Sequence, residues 1–143
     1  MLAWYLFTSF TAISLVHVYW ALGGSWGSDA AIPRLPGRGV GAPSVAAFKP
    51  SAVGTLMVAV ALALVATLVS LRAGLLGPRQ LQAVIQYLLV GVALLMLARA
   101  VGDFRLVGFF KRIQGSPFAW LDTWIYSPLC VLLGSGLAWL AVA

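Results

Sequence analysis

Four long apolar stretches dominate this chain and predict four membrane-spanning helices. They cover residues 2–22, 51–71, 81–101 and 119–142. Each has the length of roughly 20 residues that an α-helix needs to cross the hydrocarbon core of a bilayer. The expected fold class is therefore all-α membrane, with four transmembrane helices in one antiparallel bundle. We expect a single membrane domain over residues 1–143, with a long loop between the first two helices.

The first apolar stretch is interpreted as a retained helix rather than a secretory signal peptide. It lacks a basic segment before the apolar run, and the run is longer and more aromatic than that of a signal peptide. Trp4 and Tyr5 lie near one end and Tyr19 and Trp20 near the other, as aromatic belts do at the two membrane surfaces. The following residues 23–50 are rich in Gly, Pro and Ser, which oppose a helix and predict a long loop. Loops of this length are often functional.

The composition supports a membrane protein and excludes several other classes. Of the 143 residues, 62% are hydrophobic and 8% are charged, whereas soluble domains carry about a quarter charged residues. Disorder is excluded by the same low charge. The net charge of +6 does not indicate a nucleic-acid partner, because the cations lie near predicted membrane boundaries rather than on a binding module.

The distribution of cations between the two membrane faces predicts the topology. The first and third connections share one face and carry Arg34, Arg38, Lys49, Arg105, Lys111 and Arg112. The opposite face carries Arg72 and Arg79. By the positive-inside rule, the long connections are cytoplasmic and both termini lie outside, and we expect the protein in a cytoplasmic membrane.

Polar residues gather at the same membrane face and mark the candidate site. The first span ends with His17, Tyr19 and Trp20, and the third ends with Arg99, followed by Asp103 and Arg105. Lys111 follows in the connection, and the fourth span begins with Asp122, Thr123, Trp124 and Tyr126. Ionisable side chains at membrane depth are costly and usually face the bundle interior or a wet cavity.

The charged residues of this set each allow a structural alternative. Arg99 and Asp103 are four residues apart and would pair on one face if the helix continued. The three cations of the third connection would anchor the chain to lipid headgroups; these are Arg105, Lys111 and Arg112. Asp122 could stabilise a helix N-terminus or serve as a carboxylate for proton transfer or ligand binding.

Other polar positions have structural interpretations as well. His17 closes a stripe of hydroxyl side chains, Thr8, Thr11 and Ser14, which often only hydrogen-bond between helices. Gln82 and Gln86 are interpreted as similar interhelical contacts. Pro128 removes a helix hydrogen bond and predicts a kink beside Asp122.

The sequence predicts no metal or cofactor site and contains no common enzyme motif. A single histidine, His17, and a single cysteine, Cys130, do not suffice for a conventional zinc site, a bis-histidine haem or a disulfide within the chain. Nucleotide-binding and hydrolase motifs are also missing.

Three motifs resemble those of an uncharacterised bacterial family of small four-helix membrane proteins, known as a domain of unknown function. They are His17-Val18-Tyr19-Trp20, the run from Gly102 to Lys111, and Asp122-Thr123-x-x-Tyr126-Ser127-Pro128. The resemblance covers nearly the whole chain. It implies the four-helix architecture and carries no established activity.

The favoured function is a polar pocket that binds or processes a lipophilic small molecule, or a lipid, with a polar head. The spans would hold the tail. Acid–base chemistry such as isomerisation would use His17, Asp103 and Asp122. The head would be held by Tyr19, Trp20, Arg99, Arg105, Lys111, Trp124 and Tyr126. Whether the protein is an enzyme stays open.

Two alternatives remain at this point. An accessory subunit of a larger membrane complex would show apolar outer faces and purely structural polar residues. A transporter with so few spans would act as a homo-oligomer, although no inverted repeat is evident. Membrane lipids are expected partners in every case, and no nucleic acid is.

Overall fold

The described residues contain four helices that are long and apolar enough to cross a membrane, which confirms the predicted all-α membrane fold. The structure, a computed structural model, describes residues 1–37, 43–74 and 81–143. Three spans are single helices: α1 (Leu2–Ala21), α3 (Ala52–Arg72) and α4 (Gln82–Val101). The fourth span runs from Pro117 to Val142. It consists of α5 (Pro117–Leu121), a π-helical turn (Asp122–Tyr126) and α6 (Ser127–Val142).

The connection between α1 and α3 contains short elements that the sequence does not predict. A single helical turn, α2, spans Ser28–Ala31. Two short strands follow, β1 (Arg34–Leu35) and β2 (Val45–Ala46), and they pair antiparallel with Arg34 opposite Ala46. A backbone hydrogen bond from Ala47 N to Pro33 O, 2.8 Å long, extends this pairing. The base of the long loop is therefore held in one conformation.

Local capping residues explain where two of the spans begin. The Ser51 side chain accepts a hydrogen bond from Gly54 N at 3.0 Å and caps α3. In the same way, Ser116 Oγ accepts from Ala119 N at 3.1 Å, and Pro117 occupies the first turn of α5. These caps set the starts of two spans at one membrane face, where α1 and α4 end. We call this face, at which α1 and α4 end and α3 and the fourth span begin, the polar face.

The bundle is held by two closely packed helix pairs, α1 with α3 and α4 with α6. Its core consists of apolar side chains from all four spans, and the largest fully buried ones are Leu6, Phe10, Val69, Leu89, Leu133 and Leu137. Ser14 Oγ donates to Ala59 O at 2.8 Å, which confirms an interhelical role for that member of the hydroxyl stripe. Thr8, by contrast, bonds to carbonyls of its own helix.

Small residues and one arginine join the two pairs. A Cβ on Gly136 of α6 would lie 3.1 Å from Leu6 Cδ2, so glycine allows α6 to approach α1 closely there. At the face opposite the polar face, Arg72 donates to Gln82 Oε1 at 3.3 Å and to Ala141 O at 2.8 Å. Gln82 Nε2 donates in turn to Leu71 O at 2.9 Å, so its predicted interhelical role is confirmed.

Candidate functional site

The connection after α4 is a compact turn that begins at Gly102. Gly102 has φ of 92°, a conformation that side-chain-bearing residues rarely adopt, and α4 ends there. The chain then returns to the helix end, where Phe109 N donates to Ala100 O at 2.8 Å. Gly108, with φ of 88°, lies against Gly102 so closely that a Cβ on either residue would clash with the backbone of the other segment. The two glycines therefore allow one backbone segment to fold directly onto another.

Asp103 organises this turn through its own side chain. Its Oδ1 accepts hydrogen bonds from three backbone N–H groups, those of Arg105 at 2.9 Å, Leu106 at 2.7 Å and Val107 at 3.0 Å. The bond from Val107, with those from the other two N–H groups, lowers the pKa of Asp103 below its usual value of 3.8, because these donors stabilise the ionised carboxylate.

The predicted pairing of Arg99 with Asp103 is wrong. It assumed that α4 continues through residue 103, but the helix ends at Val101 and Asp103 lies in the turn. Arg99 instead donates from Nη2 to Asp122 Oδ1 at 2.6 Å. Its partner is thus an acid 23 residues away in the fourth span.

Asp122 is the centre of a buried charged cluster. The side chain is fully buried, and both carboxylate oxygens have donors. Oδ1 accepts from Arg99, while Oδ2 accepts from Lys111 Nζ at 3.0 Å and from Gly108 N at 2.7 Å. The carboxylate therefore ties together the end of α4, the compact turn and the start of the fourth span. We call Arg99, Gly108, Lys111 and Asp122 the Asp122 cluster.

Lys111 lies inside the protein rather than among lipid headgroups. The residue is only 5% exposed. Its Nζ donates to Asp122, to Gly108 O at 2.9 Å and to Thr123 Oγ1 at 2.6 Å, which accounts for all three ammonium protons. The predicted headgroup-anchor role is therefore wrong for Lys111. Arg105 and Arg112 are exposed, and for them that role stays a prediction.

The π-helical turn shapes the start of the fourth span next to the cluster. Ser127 N donates to Asp122 O, five residues back, which widens the helix at this point. Pro128, where the sequence predicts a kink, follows this turn directly. Tyr126 is half-buried and its hydroxyl donates to Ala30 O at 3.2 Å, so it links the fourth span to α2 instead of joining Asp122.

A second group of polar residues has its own contacts, none of which are with the Asp122 cluster among the described residues. It consists of His17, Tyr19 and Trp20. His17 Nδ1 lies 2.8 Å from Ile13 O, and its ring packs edge-on against Trp20 with 5.1 Å between centroids. Trp20 Nε1 donates to Trp26 O at 2.9 Å, and Trp26 N donates to the Tyr19 hydroxyl at 3.3 Å. These bonds fold the start of the long loop onto the end of α1.

The predicted site residues thus divide into separate sets. Arg99, Lys111 and Asp122 are in direct contact, whereas the described residues include no hydrogen bond or ion pair between His17 and Asp122. Trp124 is 67% exposed, on the outer surface of the span. Arg38 and Arg79, counted in the topology prediction, lie outside the described residues.

Sequence reasoning missed the Gly108 N–H as a member of the cluster. A backbone N–H group is present in almost every residue, so the sequence alone does not identify which one acts as a donor in a site. The available signal was the pair of glycines six residues apart in the motif, Gly102 and Gly108, which is typical of a close backbone approach.

An open cleft, which the sequence does not predict, lies at the polar face. It has a volume of about 370 Å³. One wall comes from the β1–β2 region and the other from the residues before α5; the lining residues are Arg34, Leu35, Pro36, Ser44, Arg112, Ile113, Gln114, Gly115 and Ser116. We call it the Arg34–Arg112 cleft.

Comparison with known proteins gives one match. A family model described as "Protein of unknown function (DUF3995)" matches residues 10–137, which include the Asp122 cluster and the Arg34–Arg112 cleft. No curated protein and no solved structure matches the chain. The expectation of a domain-of-unknown-function family is confirmed by the family match.

Proposed function

The chain belongs to the DUF3995 family of proteins of unknown function, and we propose that it binds a lipophilic molecule with an anionic head at the polar face. The observation that supports this proposal is a charge imbalance. Asp122 is paired with two cations inside the protein, and one oxygen of the exposed Asp103 accepts three backbone N–H bonds. In the described part of the chain, Arg34, Arg105 and Arg112 are left to bind an anion from outside.

The ion pairs of the described residues show the imbalance directly. Both involve Asp122, with Arg99 and with Lys111. Within the described part of the chain, Arg34, Arg105 and Arg112 have no ion pair with an acidic side chain. Guanidinium groups at a membrane surface bind phosphate and carboxylate heads through charge-assisted hydrogen bonds.

Apolar side chains beside these cations suit the tail of such a molecule. Phe104, Phe110 and Trp120 are largely exposed and lie in the compact turn or at the start of the fourth span. Aromatic rings at this level pack well against the upper part of lipid chains. The same face therefore offers cations for a head and aromatic surface for a tail.

Native mass spectrometry of the protein in mild detergent tests this proposal. The probes are phosphatidylglycerol, phosphatidic acid and phosphatidylcholine with identical acyl chains. We expect the anionic lipids to be retained about tenfold more strongly than phosphatidylcholine, because each charge-assisted hydrogen bond contributes about 1.5–3 kcal/mol. Equal retention of all three lipids, or isolation of a stoichiometric protein partner in place of any amphiphile, would overturn the proposal.

A further inference from the structure

We infer that the Arg34–Arg112 cleft is a binding site for a phosphate monoester. This inference rests on the proposed function, and it adds the location of the head and its chemical class. The Asp122 cluster cannot be that location, since its carboxylate is fully buried and both oxygens already have donors.

Both walls of the cleft are held by backbone structure. Arg34 lies in β1, opposite Ala46, and is half-buried. On the other wall, Ile113 N donates to Arg105 O at 3.0 Å. Ser116 is fixed as the cap of α5. Because both walls are anchored, the two arginines are presented to the cleft from opposite sides with little loss of backbone freedom on binding.

The lining of the cleft matches the charge and the acceptors of a phosphate monoester. Among the described residues, its lining contains two guanidinium groups and no acidic side chain. A phosphate monoester carries a charge of about −1.5 to −2 at pH 7 and three strong acceptor oxygens. Arginine can donate two parallel hydrogen bonds to such a group. A phosphodiester or a carboxylate has a single charge and would leave one arginine without full compensation.

Polar side chains in the cleft can satisfy the remaining acceptors. Ser44, Gln114 and Ser116 line it together with the arginines. Ser116 Oγ accepts from Ala119 N, so its hydroxyl proton is still free to be donated. The cleft therefore combines two cations with neutral donors, a typical arrangement for phosphate recognition.

The position of the cleft favours a lipid as the source of the phosphate. Ser116 immediately precedes the fourth span, so this wall lies at the level of the membrane surface. Phe110 and Trp120, on either side of residues 112–116 in sequence, are exposed and apolar. Free phosphate has the same head chemistry, and the experiment separates the two sources.

Native mass spectrometry titrations of the full chain in detergent micelles test the inference. The probes are phosphatidic acid, phosphatidylglycerol and a fatty acid of the same chain length, with inorganic phosphate as competitor. We expect phosphatidic acid to bind about tenfold more tightly than phosphatidylglycerol. Arg34→Gln and Arg112→Gln should each weaken its binding by about tenfold, since each removes charge-assisted hydrogen bonds.

Lys49→Gln is the matched control. Lys49 is an exposed cation of the same connection as Arg34, but it does not line the cleft. We expect it to change phosphatidic acid binding by less than about twofold, as a screened surface charge does. Unchanged thermal melting of all three variants would show that they are folded.

Each other outcome has a distinct meaning. Equal weakening by Lys49→Gln and Arg112→Gln would show general electrostatic attraction and overturn the inference. Equal binding of phosphatidic acid and phosphatidylglycerol would overturn it while leaving the proposed function intact, whereas no preference for any anionic lipid would overturn both. Binding of inorganic phosphate that is as tight as that of phosphatidic acid, and equally sensitive to Arg112→Gln, would support a phosphate site and assign it to a soluble phosphate.

Discussion

Arg99 and Lys111 each donate to a different oxygen of the buried Asp122 carboxylate, at 2.6 and 3.0 Å. The two cations approach from different elements, one from the last turn of α4 and the other from the connection that follows it. Asp122 therefore holds the polar face together, and its environment is that of a structural anion. Both Asp122 oxygens are occupied within the cluster, so this carboxylate does not pair with Arg105 or Arg112.

Replacement of Asp122 by asparagine should destabilise the protein severely. Lys111 would keep its charge in a site with a side-chain exposure of 2%, and the loss of a buried partner costs about 3–5 kcal/mol. Because the Arg99 side chain is 31% exposed, it contributes less, and we expect a loss near the lower end, about 3 kcal/mol. Equilibrium unfolding in mixed detergent micelles measures this loss in the free energy of unfolding.

Two further variants make this test specific. Asp29→Asn removes an exposed acid of α2 and should leave the free energy of unfolding nearly unchanged. Asp122→Asn combined with Lys111→Met should recover part of the loss, since the unpaired buried charge is gone. If Asp122→Asn is as stable as the wild type, Asp122 does not hold α4, the compact turn and the fourth span together.

Alanine at Gly108 should disrupt the compact turn. The residue has φ of 88°, and a Cβ there would clash with the Gly102 backbone, so we expect a loss of at least about 1–3 kcal/mol. Gly91→Ala is the control, because a Cβ on Gly91 in α4 meets nothing within 4 Å. That variant should be neutral or up to about 1 kcal/mol more stable, as alanine favours a helix. Similar melting temperatures for both variants would contradict the close Gly102–Gly108 approach.

Asp103 should make the compact turn sensitive to acid. Its pKa is lowered in the folded protein by backbone N–H donors, that of Val107 first, so the ionised side chain stabilises the fold above the usual pKa of 3.8. This contribution is lost as the pH falls through the lower pKa of the folded state. Asp103→Asn should therefore melt below the wild type at pH 7, and the gap should close below about pH 4. A gap that is constant from pH 3 to 7 would refute this.

Substitution of His17 tests whether the group formed by His17, Tyr19 and Trp20 takes part in lipid binding. Its hydrogen bond and ring contact are with Ile13 and Trp20 of its own helix. We therefore expect His17→Ala to change the retention of phosphatidic acid by less than about twofold. Abolished retention in a folded variant would instead support the prediction of a catalytic or head-binding His17 in a shared pocket.

The membrane orientation can be tested with a cysteine in the first connection. Ser44 is exposed and lies between the described strands, and Cys130 can be replaced by serine to leave a single thiol. With both termini outside, Ser44→Cys should react with an impermeant maleimide only after the cells are opened. Labelling of Ser44→Cys in intact cells would show that the predicted topology is wrong.

The sequence alone determined the number of spans, their limits to within a few residues and the face at which the polar residues gather. These features depend on local properties, because some 20 consecutive apolar residues insert as a helix whatever surrounds them. The strand pair and α2 in the long connection were not predictable in this way, since such short elements depend on contacts with the rest of the fold.

Only the tertiary structure decided which charges are buried and paired. Lys111 and Arg112 are neighbours in the sequence and both cationic, yet Lys111 is buried on Asp122 and Arg112 is exposed at the cleft. The difference arises because the chain reverses at Gly102 and returns at Gly108, which brings residues 99, 111 and 122 together. Pairing of charges depends on distances in space, and a chain reversal sets these distances independently of the local pattern of residues.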